Sequence, residues 1–166
     1  MSTQTDGYEI QPDIDPSTAK YITPTVRATN HAKSLVTVTA RDHTWTIDEP
    51  TEKGGTNEGP TPLEALLGSL VGCESVVLGL VAKAIGFQYS GLTIDCTGTA
   101  DMRGARGVKG IRPYFTKVAV TINIATDEPQ KRLELLRRNV EQRCPVMNLF
   151  EGADVEMDVT WNVSPA

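Results

Sequence analysis

Two cysteines have neighbours that could make them reactive. Cys144 lies in RCPVMNLF (143–150), where an amphipathic segment stops, with Arg143 before it, Pro145 after it and Arg137-Arg138 about two helical turns back. The thiolate is the nucleophilic form of cysteine, and nearby positive charge or amide donors favour it. The carboxyl end of a preceding helix opposes it. Cys144 therefore reads either as a reactive thiol or as a small residue that ends a helix. Cys73 lies in SLVGCESVV (69–77), inside the longest apolar run of the chain. On a helical wheel it shares a face with Leu66, Ser69, Val76, Val77 and Leu80. It too has two readings, since free cysteine is among the most buried residue types. The third cysteine, Cys96, falls in a strand-like stretch and needs no role beyond packing. An odd cysteine count suits free or catalytic thiols better than a disulfide framework.

Other candidate chemistry is sparse. His31 and His43 have no ligand spacing to either cysteine, so no metal site is expected. GGTNEG (54–59) is glycine-rich but lacks the Lys-Ser/Thr of a phosphate loop, and reads as a plain loop. Five arginines could supply a cation to a thiol. Arg27 falls on the first expected strand, Arg41 in a turn, and Arg103, Arg106 and Arg112 in a glycine-spaced basic loop.

The elements that must position these residues follow from periodicity. Stretches 25–29 and 34–48 alternate Thr and Val with other residues, predicting an antiparallel meander with turns at 30–33 and at Arg41-Asp42. A loop at 49–62 leads into a helix over 62–86, closed by Gly86. This helix is apolar nearly all round and must be covered on most sides. Its glycines, Gly68, Gly72 and Gly79, cost about 1 kcal/mol each relative to alanine. Close approach of another backbone or a second subunit would offset that. Strands are expected at 91–102 and 114–126. A helix is expected at 127–143, capped by Asp127 with Pro129 in its first turn and Leu133, Leu136 and Val140 inward. A short apolar turn and a final strand at 154–163 complete an α+β fold, antiparallel sheets packed around two main helices.

The 166 residues suit a single domain at 25–166 behind a polar N-terminal arm at 1–24. A hydrophobic fraction of 39% with 22% charged residues is that of an ordinary soluble protein, and a net charge of -5 argues against nucleic acid as a partner. No basic-then-apolar leader is seen, so a cytoplasmic location is expected. The run at 65–86 has the length of a membrane span. Glu74 at its centre, at about 2.5–3.5 kcal/mol on insertion scales, and Lys83 near its end favour a buried core helix and no membrane.

DEPTEKGGTNEGPTPLEALLGSLVGC (48–73) resembles the loop-and-helix signature of the OsmC/Ohr family, the osmotically inducible and organic hydroperoxide resistance proteins. CPV (144–146), after an amphipathic helix and before a last strand, resembles that family's second signature, and the likeness runs over roughly 25–163. The cysteines are 144 − 73 = 71 residues apart. The resemblance implies an intertwined homodimer and a thiol-dependent peroxidase for organic hydroperoxides. Cys73 would be the peroxidatic cysteine and Cys144 the resolving one, recycled through a Cys73–Cys144 disulfide by an external dithiol, lipoylated or thioredoxin-like reductant, with no bound cofactor. It also implies an activating arginine, for which Arg27 is preferred, held by a glutamate. The family's glutamate follows a proline ten positions before the cysteine. Here Leu63 holds that place and the acid is Glu64. Nine positions set Glu64 about 180° from Cys73 on an ideal helix, so it also reads as a first-turn acid favoured by the helix dipole. Two other functions keep the same fold: a redox sensor that forms the disulfide without turnover, and a binding module of the stress response.

Overall fold

Alternating Thr and Val residues form the expected meander: β1 (Arg27–Ala32), β2 (Leu35–Ala40) and β3 (His43–Ile47), antiparallel in the order β1-β2-β3. The tight turns fall at Lys33 and Arg41, both with positive φ. The structure, a computed structural model, describes residues 15–166. The expected arm at 1–24 therefore lies partly outside the described residues. Within the rest of it, Pro16–Thr18 form one 3-10 turn, and neither helix nor strand covers 19–26. The described chain divides into two compact units, one ending at Leu66 and the other running from Leu67 to Ala166.

In the first unit the loop after β3 is built around a buried carboxylate. Asp48 accepts hydrogen bonds from the Ser34 hydroxyl (2.7 Å), the Thr56 hydroxyl and the backbone N–H groups of Glu49 (2.8 Å), Thr56 (2.9 Å) and Glu58 (3.2 Å). These donors hold it well below the usual carboxylate range, the Thr56 and Ser34 hydroxyls foremost. Gly55 is obligatory here, because a Cβ would stand 1.8 Å from the Glu49 carbonyl oxygen.

In the second unit a three-stranded sheet has β5 (Phe115–Ala125) at its centre, flanked by β4 (Gly91–Ala100) and β6 (Glu156–Ser164). The inward residues Val118, Val120, Ile122 and Ile124 of β5 are buried. They share a core with Leu70 and Leu78 of α1 (Pro62–Ile85), Leu136 and Val140 of α3 (Gln130–Arg143) and Met147 of α4 (Pro145–Gly152). The basic loop contains one short helix, α2 (Met102–Ala105), and Arg112 ties it to Asp154 at 2.7 Å.

The α+β class and both main helices match the sequence reading. Three details differ. β6 pairs with β5 in the parallel sense, Lys117 opposite Glu156 through Ala125 opposite Ser164, because α3 and α4 form a crossover that returns the chain before β6 begins. The N-cap of α3 is Pro129 and makes no side-chain bond, while Asp127 accepts the backbone N–H of Ala166 at 3.2 Å. The apolar turn after Cys144 is a two-turn helix, α4.

Candidate functional site

Helix α1 starts in a capping box. The Thr61 hydroxyl accepts the Glu64 N–H (3.2 Å), and the Glu64 carboxylate accepts the Thr61 N–H (2.7 Å), which lowers the Glu64 pKa. Gly86, with φ 67°, lets the chain leave the other end, where the Phe87 N–H bonds the Ala82 carbonyl at 2.8 Å. Leu70, Glu74, Leu78, Val81 and Ala82 form the buried strip of the helix. Cys73 lies half-buried at the edge of this strip.

Helix α3 brings the second thiol. Arg132 anchors its first turn, donating to Glu128 (2.7 Å) and to the carbonyl of Ile85 at the end of α1 (2.7 Å). Leu133, Leu136 and Val140 turn inward at helical spacing. Cys144 is where α3 stops and α4 starts. Its N–H still bonds the Val140 carbonyl (3.0 Å), while its sulfur accepts the Met147 N–H (3.4 Å) as the N-cap of α4, with Pro145 in the first turn. Asn148 clamps the junction by donating to the carbonyls of Cys144 (2.9 Å) and Glu141 (3.1 Å).

The Cys144 side chain is fully buried, and its thiol lies against both Cys73 and Glu74. Burial pushes the Cys144 pKa far up. The Met147 N–H pulls it down, and the neighbouring Glu74 and Cys73 add to the rise. Amide donation at the α4 N-terminus thus loses to desolvation. Glu74 is also fully buried, and no well-formed hydrogen bond satisfies either carboxyl oxygen among the described residues. Desolvation raises its pKa first of all; Cys144 lowers it, and Glu141 of α3 and Glu151 of α4 raise it further. All three cysteines are free. Such a group can do thiol chemistry: two sulfurs in reach of each other, with an acid beside them that titrates above the normal carboxyl range.

Cys73 and Cys144, both marked out by sequence, come together inside the second unit, and Glu74 joins them. Sequence shows Glu74 only as a charge that argues against a membrane span; its signal is an acid directly after a cysteine in an otherwise apolar helix. Arg27 and Glu64 belong to the first unit. Arg27 is exposed on β1, where it lines a surface cavity with Arg41, Val26 and Thr39, and Glu64 is exposed in the capping box. Arg103 is paired with Asp101 and Arg112 with Asp154. Cys96 is half-buried on β4 among core residues, and burial raises its pKa. The His31 ring hydrogen-bonds the Thr37 hydroxyl at 2.8 Å. Among the described residues no three His, Cys, Asp or Glu side chains gather as a metal site would require.

Solved structures share this architecture. An OsmC-like protein from Mycoplasma pneumoniae superposes with a TM-score of 0.74 at 22% identity, covering 86% of this chain and 98% of that one. The organic hydroperoxide resistance protein OsmC of Legionella pneumophila gives 0.62 at 19% identity, covering 88% and 99%. An organic hydroperoxide resistance protein from Elizabethkingia anophelis gives 0.62 at 19% identity, covering 89% and 99%. No curated protein matches the sequence. The family described as OsmC-like protein matches residues 55–160, from the loop before α1 into β6 and well over half of the chain. The chain therefore belongs to the OsmC family.

Proposed function

We propose that the protein is a thiol-dependent peroxidase for organic hydroperoxides. The observation that carries this reading is the placement of the Cys144 thiol against Cys73 within one unit. The Cys73 thiolate attacks the distal oxygen of ROOH, the O–O bond breaks, and the alkoxide takes a proton from water to leave as ROH. Cys73 becomes a sulfenic acid. The Cys144 thiol condenses with it, releasing water and forming the Cys73–Cys144 disulfide, which an external dithiol, lipoylated or thioredoxin-like, reduces. No bound cofactor takes part. Arg27 is the proposed cation for Cys73. Glu64 serves by fixing the first turn of α1 through Thr61. The half-buried, largely apolar surroundings of Cys73 suit an organic peroxide.

The working form is proposed to be a homodimer closed over α1. Val76 and Leu80 of α1 are 64% and 63% exposed, and a Cβ at Gly68 or Gly72 would meet nothing within 4 Å. A second subunit laid on this strip would bury the apolar side chains and give the glycines a reason. We place the protein in the cytoplasm, where thiols stay reduced, with neither nucleic acid nor membrane as partner; the net charge of -5 and the buried Glu74 in α1 support this.

A redox sensor is the second reading, favoured by the buried Cys144 and its raised pKa, which slow disulfide closure. Turnover of cumene hydroperoxide with dithiothreitol separates the two. A peroxidase consumes many equivalents, and a sensor oxidises once and stops. Cys73→Ser abolishes consumption, and Cys144→Ser leaves a sulfenic acid on Cys73. Consumption that survives Cys73→Ser overturns the assignment of roles.

A further inference from the structure

Disulfide closure at this site meets an obstacle that its thiols alone do not remove. The attacking sulfur of Cys144 is fully buried and carries its proton, and the hydroxide that leaves Cys73 must gain one. Beside that sulfur stands Glu74, also fully buried, with both carboxyl oxygens lacking a hydrogen-bond partner among the described residues. An acid here adds nothing to the core. An apolar side chain of the same size would avoid the cost of burying it.

We propose that Glu74 is a proton shuttle for disulfide closure, accepting the Cys144 thiol proton as that sulfur attacks the Cys73 sulfenic acid and passing it to the departing hydroxide. The step balances. The new S–S bond forms from the Cys144 sulfur lone pair, and the Cys73 S–O bond breaks with its electrons leaving on oxygen. The Cys144 sulfur is oxidised and the Cys73 sulfur reduced, one water is released, and Glu74 ends as it began. This rests on the sulfenic acid chemistry proposed above.

The groups around the carboxyl tune it for that task. Besides Cys144 and Cys73, Glu141 faces it from α3 and Glu151 from α4. Burial first, then the two glutamates, raise its pKa above the ordinary carboxyl value and so make it a stronger base once ionised. The Met147 N–H, 3.4 Å from the Cys144 sulfur, steadies the thiolate as it forms.

The test uses the reduced full-length protein mixed with one equivalent of cumene hydroperoxide, quenched at intervals with dimedone and N-ethylmaleimide and read by intact mass. In Glu74→Gln, sulfenic acid still forms on Cys73 and accumulates, because closure to the disulfide slows about 100-fold. Wild-type closure speeds up with pH, levels off once Glu74 is ionised, and shows a normal solvent deuterium isotope effect. Closure as fast in Glu74→Gln as in wild type overturns the shuttle and leaves the peroxidase reading intact. If Glu74→Gln does not fold, the wild-type profile decides: closure that rises steadily to pH 9.0 and beyond, with no isotope effect, rejects the shuttle. Absence of any sulfenic acid or disulfide in wild type overturns the peroxidase reading and the shuttle with it.

Discussion

At the scale of single residues, the two thiols differ in what surrounds them. Cys144 caps a helix and receives an amide hydrogen, yet burial and the acid beside it keep its proton in place. Burial shifts the Glu74 carboxyl toward its neutral form, desolvation foremost, which ties stability to pH. Its folded pKa lies above the ordinary 4.5, so the folded protein binds a proton that the unfolded chain has released. Stability from this source is complete below about pH 4.5 and is lost as pH rises through the folded value. Wild type should lose up to about 1.4 kcal/mol per pH unit across that window relative to Glu74→Gln. Urea unfolding of both proteins from pH 4 to 8 measures the slope, and equal slopes would show that Glu74 is not perturbed. Cys73 and Cys144 were legible only through their flanking segments, 48–73 and 144–146, whose resemblance to one family outweighed the packing reading that each cysteine allows by itself. The role of Glu74 was not, since it depends on the α3–α4 junction arriving beside it.

At the scale of elements, helix ends do the positioning. The sequence holds the whole capping box, Thr61 to Glu64, and the structure shows the pair of bonds it makes. Thr61→Ala should cost about 1 kcal/mol in a urea melt, and no loss would show that the box contributes nothing. Gly55→Ala should cost about 3 kcal/mol, because the added methyl meets the Glu49 carbonyl; unchanged stability would mean that the Asp48 loop yields freely. This loop was read only as glycine-rich, since Asp48 finds its donors at Ser34, 14 residues earlier, and at Thr56 and Glu58 after it. Helix α4 was hidden for another reason. Eight residues beginning with a proline carry too few turns for a periodic signal, and the cap is a sulfur rather than a usual oxygen. The parallel pairing of β6 has no sequence mark either, because direction depends on the crossover and not on alternation.

At the scale of the whole molecule, the order of strands and helices could be read from periodicity, and the α+β class followed. The exposed apolar strip on α1 is the counterpart of a helix that looks apolar all round in sequence: one face meets the core, and Val76 and Leu80 do not. Leu80→Glu should shift a dimer toward monomer in sedimentation velocity at micromolar concentration, and a wild type that is already monomeric would contradict the proposed assembly. The central claim is that Cys73 and Cys144 form one redox couple. It is tested most directly by oxidising the reduced protein with a slight excess of cumene hydroperoxide and taking its intact mass and tryptic map. The account predicts a loss of two hydrogens, mapped to a Cys73–Cys144 link. Unchanged thiols, or a link made through Cys96 instead, would contradict it.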